Sequence, residues 1–99
     1  MKRTTKRLVC EAFGGVPYEY YPIDKYIVAA PGVCGGRPTF KYTRLEVAVV
    51  LGLLAAGWTI EHVVREYAQS HLTPKAVMEA IRLAKAALVT TSRVAQPAE

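Results

Sequence analysis

The sequence predicts a mainly α fold with a small β part, in which a short N-terminal β-hairpin precedes three helices in a helix-turn-helix arrangement. Two short runs rich in aromatic and β-branched residues flank a turn in residues 18–30. From Leu45 onward the hydrophobic period changes from two to 3.6 residues, and three segments of helical length follow. A chain of 99 residues has the size of one small domain, and we expect it to be compact over residues 17–88.

The N-terminal segment, residues 1–16, is predicted to be a basic, partly flexible arm that ends at a Gly-Gly joint. Its cations are Lys2, Arg3, Lys6 and Arg7. A hairpin over residues 18–30 follows, with a Pro-Ile-Asp-Lys turn between its strands. Residues 31–44 form a loop and turn, because Gly and Pro interrupt regular structure there, although residues 39–44 could supply one more short strand.

The first two helices are predicted over residues 46–56 and 59–67. The first is apolar on nearly every face and is followed by Gly57, a residue type that often ends helices. A helix that is apolar all round must be covered all round, so it is either the central helix or part of a subunit contact. The second is amphipathic and begins at Thr59, a good N-cap.

The third helix is predicted over residues 74–88 and has the clearest start. Thr73 is a suitable N-cap, and Pro74 suits the first helical position. One side carries an apolar stripe, which is predicted to be buried: Val77, Ala80, Ile81, Ala84 and Leu88. The other side is mostly charged and holds Lys75, Met78, Glu79, Arg82 and Lys85. Residues 89–99 lose the pattern and are predicted to be a flexible tail.

Three consecutive helices with a short link before the last match the helix-turn-helix arrangement, in which the last helix enters the major groove of DNA. On this interpretation the charged side of the third helix binds duplex DNA. The alternative is a three-helix core with a solvated charged face. Residues 58–88 carry four cations against three Glu, a charge of +1, whereas recognition helices usually lie in a clearly positive field. The helical pattern favours DNA, but the charge does not.

Composition narrows the class of protein further. The 13 Lys and Arg against eight Asp and Glu give +5, which permits binding to nucleic acid or to an acidic protein. The apolar stretch at residues 47–58 is too short to span a bilayer and lacks the flanks of a signal peptide, so a soluble, cytoplasmic protein without a membrane partner is expected. A chain this small buries little surface on its own, which favours a homodimer.

No enzyme, cofactor or metal centre is predicted from the titratable residues. Cys10, Cys34, His62 and His71 are separated by 23, 27 and 8 residues, and these gaps fit no compact zinc spacing. The acidic residues offer no pair suited to general acid-base catalysis. The two cysteines could close one disulfide, but free thiols are expected.

The loop CGGRP precedes the first helix. Its backbone amides could cradle an anion, but it lacks the spacing of a phosphate-binding P-loop. We favour a tight loop in which Gly35 or Gly36 has a positive φ angle and Pro38 fixes the exit.

Two stretches, VCGGRPTFKYTRLEVAVVLGLLAAGWTIEHVVREY and LTPKAVMEAIRLA, closely resemble the family called domain of unknown function 433. The resemblance covers about residues 26–88. On the family's loop and turn fall Gly35, Gly36, Pro38, Lys41, Thr43 and Arg44. On its helix boundaries fall Gly57, Tyr67, Leu72 and Thr73.

This resemblance implies a homeodomain-like three-helix domain preceded by short strands. Some members are antitoxins of type II toxin-antitoxin pairs, which implies a dimer that binds its own operator DNA and a PIN-like ribonuclease toxin. The alternative is a protein-interaction module that assembles through its apolar first helix and does not bind DNA. The family brings no catalytic residue.

The chain departs from the family pattern at two positions. Tyr42 stands where the family usually has glycine, so the turn is expected to avoid a positive φ angle. Glu46 stands where proline is common, and it suits the first turn of a helix.

The cations of this segment, Arg37, Lys41 and Arg44, have three possible roles: contacts to DNA phosphates, contacts to an acidic toxin surface, and ion pairs within the domain. For Arg44 an ion pair is favoured, with Glu46 or Glu66, because a cation at a helix start opposes the helix dipole.

Overall fold

The computed structural model describes the backbone of residues 7–95 and the side chains of residues 7–91. Four strands are followed by three α-helices. The strands are β1 (Val9–Phe13), β2 (Val16–Pro22), β3 (Ile27–Ala29) and β4 (Pro38–Phe40). The helices are α1 (Val47–Ala55), α2 (Ile60–Glu66) and α3 (Pro74–Ala95), and single 3₁₀ turns lie at Cys34–Gly36 and Ala68–Ser70.

The strands form one antiparallel sheet in the order β1-β2-β3-β4. The predicted class, a mainly α fold in which a hairpin precedes a homeodomain-like three-helix bundle, is therefore wrong. One strand was missed: β1 lies in the segment assigned to the basic arm. The further strand suggested within residues 39–44 is present in part as β4, which pairs with β3 through Ile27 and Phe40. The fold is α+β, because sheet and helices together build one core.

The Gly-Gly pair explains why β1 was missed. Gly14 and Gly15 have φ angles of +62° and +79°. Two positive φ angles in succession are the geometry of a type I′ turn, whose twist matches that of the two strands it joins. The pair therefore closes a hairpin between β1 and β2, with Phe13 opposite Val16, rather than marking a flexible joint. Residues 1–6 of the predicted arm lie outside the described residues.

The main core lies between the sheet and all three helices. Ile27 and Phe40 supply it from the sheet, and the helices supply Val50, Val63 and Val77, each 0% exposed. Neighbouring residues of a strand point to opposite faces, so Val28, next to Ile27, packs with Tyr20 and Ala30 in a second, smaller core. This register fixes which face of the sheet meets the helices.

The third helix is longer than predicted. It continues to Ala95, because Val89–Ala95 contains neither Gly nor Pro to end it. Within it, Val77 and Ala80 are buried, but three other members of the predicted apolar stripe are exposed: Ile81, Ala84 and Leu88. The stripe leaves the core because the sheet and the other helices contact the first half of α3. None of the helices within residues 7–95 has the length and apolarity needed to cross a membrane.

Thr39, in the middle of β4, is 0% exposed, and its hydroxyl has no hydrogen-bond partner among the described residues. A buried hydroxyl without a partner loses its hydration and gains nothing in return. We expect Thr39→Val, which keeps the shape, to raise the free energy of unfolding by about 1 kcal/mol in urea titrations. Thr39→Ser is the matched control and should lower it, because it keeps the hydroxyl and removes a methyl group. A less stable Val variant would contradict the assignment.

Candidate functional site

The first half of α3 and the turn between β2 and β3 form a shallow groove with a volume of about 420 Å³. It is lined by Lys25, Tyr26, Pro74, Lys75, Met78, Glu79 and Arg82. Lys75, Met78 and Arg82 recur at helical spacing, so they lie on one side of α3, and Lys85 continues that side by one turn. We call the four cations Lys25, Lys75, Arg82 and Lys85 the cationic strip.

The start of α3 positions this strip. Thr73 caps the helix, since its Oγ1 accepts a hydrogen bond of 3.2 Å from the backbone N–H of Ala76. Val77 and Ala80 then anchor the opposite side of the helix in the core. The charged side must therefore face outward, and all four cations of the strip are exposed.

Glu79 does not belong to this exposed surface, although the sequence placed it there. It is 3% exposed, and its Oε2 accepts a hydrogen bond of 2.7 Å from the backbone N–H of Tyr26. Its Oε1 lies 3.7 Å from Nη2 of Arg82. The periodicity of one helix cannot reveal a strand turn that covers it, so the prediction of an exposed Glu79 is wrong.

The strip retains a positive charge after its nearest acids are counted. Nη2 of Arg82 lies 3.4 Å from Oδ2 of Asp24 as well as near Glu79. Four cations against these two carboxylates leave +2. Lys75 and Lys85 form no salt bridge with any residue whose side chain is described, so their charges are available to a ligand.

The second set of predicted cations, Arg37, Lys41 and Arg44, makes three different sets of contacts. Both Nε and Nη2 of Arg37 donate hydrogen bonds of 3.0 Å to the carboxylate of Glu46. This bidentate contact holds the pKa of Glu46 below its ordinary value. Lys41 instead places its Nζ 5.0 Å from the ring centres of Tyr20 and Tyr42.

Arg44 lies in a different groove, beside Pro17 and Glu19. It makes no salt bridge within the described part of the chain, and Glu46, one of the two partners predicted for it, binds Arg37. The ion pair predicted for Arg44 is therefore wrong. The reason is geometric: the turn at Cys34–Gly36 places Arg37 beside Glu46, at the start of α1.

The loop before β4 is a tight turn. Gly35 and Gly36 have φ angles of +64° and +84°. The N–H groups of Gly36 and Arg37 donate to carbonyls of the same loop, so these two amides are not free to cradle an anion. Pro38 begins β4. Thr43 stabilises the turn that follows β4, because its Oγ1 donates to the carbonyl of Phe40 and accepts from the N–H of Leu45.

Tyr42 has a φ angle of +67°, so the expectation that this turn avoids a positive φ angle is wrong. Contacts to the hairpin hold Tyr42 in this conformation. Its ring stacks on Phe13 at 4.7 Å, its backbone N–H donates to the hydroxyl of Tyr18, and its own hydroxyl donates to Glu11. Hydrogen bonds from Tyr20 and Tyr42 hold the pKa of Glu11 below its ordinary value.

Sequence reasoning missed this aromatic cluster, Phe13, Tyr18, Tyr20 and Tyr42, because the first three of these residues lie on the unrecognised β1–β2 hairpin. One signal was available: the family pattern that the chain resembles has glycine at this position, and glycine in a turn is typical of a positive φ angle. No group of three or more His, Cys, Asp or Glu that could hold a metal ion occurs in the part of the chain that the structure describes.

A family model described as "Protein of unknown function (DUF433)" matches residues 27–84. The matched range begins at β3 and ends within α3, so it includes Lys75 and Arg82 but not β1 or β2. No curated protein and no solved structure matches the chain.

Proposed function

The chain belongs to the DUF433 family of proteins of unknown function, and from this premise we propose that it is a DNA-binding protein of the antitoxin type, which also binds a protein partner. The observation that carries the proposal is the cationic strip, which runs along α3 from Lys75 to Lys85 and includes Lys25 of the adjacent β2–β3 turn. Its four cations lie on one exposed side of the molecule and keep a charge of +2 after the two nearby carboxylates are counted. Such a strip attracts the phosphates of duplex DNA.

The position of the β2–β3 turn defines how DNA would be bound. The turn lies alongside α3, where Tyr26 binds Glu79 and Asp24 binds Arg82. This arrangement suits contacts from the lysines to the phosphate backbone better than deep insertion of the whole helix into a groove. Phosphate contacts orient a protein on DNA, whereas contacts to base edges specify sequence. Met78, 52% exposed between the cations, is the side chain best placed for an apolar contact.

The partner surface we assign to the second half of α3. Residues 86–91 of this helix, beyond the cationic strip, are all exposed, and they include Leu88 at 66% and Val89 at 46% exposure. Adjacent exposed apolar side chains, unlike single scattered ones, can form part of a protein-binding patch. The family resemblance implies a PIN-like ribonuclease as the partner, and a homodimer as the form that binds the operator.

The test of DNA binding is fluorescence anisotropy with duplex from immediately upstream of the protein's own coding region, at several salt concentrations, with unrelated duplex as control. We expect preferential, salt-sensitive binding to the upstream duplex. For Lys75→Ala combined with Lys85→Ala, the slope of log K against log salt should fall by about two units, because each lost phosphate contact removes about 0.9.

Arg44→Ala combined with Arg65→Ala is the matched control, since it removes two exposed cations that lie outside the strip. This control variant should show the same slope of log K against log salt as the native protein. If the slope fell equally in the two double variants, the loss would reflect total charge alone, and the cationic strip would not be the DNA-binding surface.

A second candidate function follows from α1. Val47 and Val50 are buried, but Val49 is 45% exposed and Gly52 is exposed on the same helix. An apolar helix with one uncovered face fits a module that assembles with a protein through α1 and does not bind DNA. A folded native protein that binds neither duplex, yet is dimeric by light scattering, would favour this function over the first.

A further inference from the structure

A second cavity, with a volume of about 520 Å³, lies beside the groove, between the hairpin, the turn that follows β4 and the start of α3. Its size is within the range of about 300 to 1,000 Å³ that is typical of sites for small molecules. It contains none of the predicted DNA contacts of α3. Lys25 and Tyr26 lie on the boundary between this cavity and the groove.

Half of the residues that line the cavity are aromatic or aliphatic, and most of its exposed surface is apolar. Phe40 and Leu72, which are 3% and 6% exposed, form its floor. Phe13 and Tyr42 stack on each other at its side but are 50% and 41% exposed. Large rings that remain half exposed beside a concave surface are well placed to contact a flat, apolar group.

The polar part of the lining consists of two lysines together with Thr43, Ser70, His71 and Thr73, and no carboxylate is found among the described residues that line the cavity. Nζ of Lys41 lies 5.0 Å from the ring centre of Tyr42, and Nζ of Lys25 lies 5.4 Å from that of Tyr26. Neither lysine forms a salt bridge with a described residue. Glu11, whose charge acts on Lys41, accepts hydrogen bonds from the hydroxyls of Tyr20 and Tyr42 and does not line the cavity. Two lysines thus lie against an apolar cavity that has no carboxylate in its lining, and the matching ligand is apolar with a negative charge.

We propose that this cavity binds a small aromatic anion, with the ring against Phe13, Tyr42 and Leu72 and the carboxylate or phosphate between Lys25 and Lys41. The flat rings select an aromatic group, because stacking and edge contacts add to the burial of apolar surface. The lysines select an anion over a neutral molecule of the same shape, because a charge-assisted hydrogen bond is stronger than a neutral one.

The experiment uses the full chain and follows amide resonances by two-dimensional NMR during titration with four probes. Indole-3-acetate carries a ring and a carboxylate, phenyl phosphate a ring and a phosphate, indole-3-acetamide the ring without charge, and acetate the charge without a ring. We expect at least one of the two aromatic anions to shift the resonances of Tyr26, Tyr42 and Leu72 saturably. It should bind at least tenfold more tightly than the acetamide, and acetate should cause no saturable shift.

The comparison of the two aromatic anions shows whether the site prefers a carboxylate or a phosphate. Equal affinity for indole-3-acetate and indole-3-acetamide, with phenyl phosphate no tighter than either, would overturn the proposal. Absence of saturable shifts with both aromatic anions would also overturn it.

Variants locate the site. Lys25→Met and Lys41→Met keep the aliphatic stem but remove the charge, and each should weaken binding of the preferred anion at least fivefold. Because Lys25 is exposed, its replacement should leave the fold intact. Lys75→Met is the matched control: it removes a cation from the neighbouring groove, so it should change affinity less than twofold. Unchanged affinity in folded Lys25→Met and Lys41→Met variants would rule out this cavity.

Discussion

Glu79→Ala is expected to lower the free energy of unfolding by about 2–3 kcal/mol, the effect of removing a buried, charge-assisted hydrogen bond. In the native protein the N–H of Tyr26 donates to Oε2 of Glu79 at 2.7 Å, and the substitution removes this acceptor. It also removes one of the two carboxylates that contact Arg82. Because Tyr26 and Glu79 are 53 residues apart, their contact ties the sheet to the last helix. Urea titration followed by circular dichroism measures the change.

Two further variants sharpen this prediction. Glu79→Gln retains an oxygen that can accept from Tyr26, so it should lose about 1 kcal/mol or less. Met78→Ala, at the neighbouring position on the exposed side, should change stability by less than about 0.5 kcal/mol. If Glu79→Ala were as mild as Met78→Ala, Glu79 would be a surface residue, as the helical periodicity alone suggested.

Tyr42→Ala is expected to destabilise the protein by about 2–3 kcal/mol, while Tyr42→Gly should destabilise it by about 1 kcal/mol less. Both substitutions remove the stacking on Phe13 and the hydrogen bond to Glu11, which together account for most of the loss. They differ in the backbone, because alanine remains strained at the φ angle of +67° and glycine does not. Thermal unfolding of the two variants in parallel measures the difference.

Tyr42→Phe serves as the control for the hydroxyl group. It keeps the ring and the backbone strain and should lose only the hydrogen bond to Glu11, about 1 kcal/mol. An alanine variant as stable as the glycine variant would show that the turn does not need a positive φ angle in solution.

The helix starts were the part of the fold that the sequence specified best. Thr59 and Thr73 accept hydrogen bonds from the third residue after each, and α2 and α3 begin directly after them. These signals are local, since the cap and the group that it satisfies lie within one turn. The motif resemblance was equally informative, and the match over residues 27–84 confirms the family.

The sheet was harder to predict because its signals are not local. A Gly-Gly pair serves equally well as a flexible joint and as a type I′ turn, and only the pairing of Val9–Phe13 with Val16–Pro22 distinguishes the two. The same limit applies to Glu79. Its position on α3 indicated exposure, whereas Tyr26, which contacts it, lies 53 residues earlier, in the turn between β2 and β3.

The candidate site was predicted in part for the same physical reason. Lys75, Met78, Arg82 and Lys85 share one side of a helix, and this follows from their spacing alone. Lys25, which joins them in space, and the pairing of Arg37 with Glu46 both depend on how the chain reverses between elements. Side chains brought together by a turn carry no periodic signal.

The extension of α3 beyond the core sets a distance between the two surfaces assigned to it. From Lys75, the first cation of the strip on α3, to Leu88 the helix rises about 20 Å, at 1.5 Å per residue, whereas Lys85, the last cation, lies about one turn before Leu88. A ligand at the start of the strip and a protein at the outer end of the helix are then neighbours, and they meet at Lys85. The partner would act on the DNA complex at this one contact, and the amount of partner could set how firmly the operator is held.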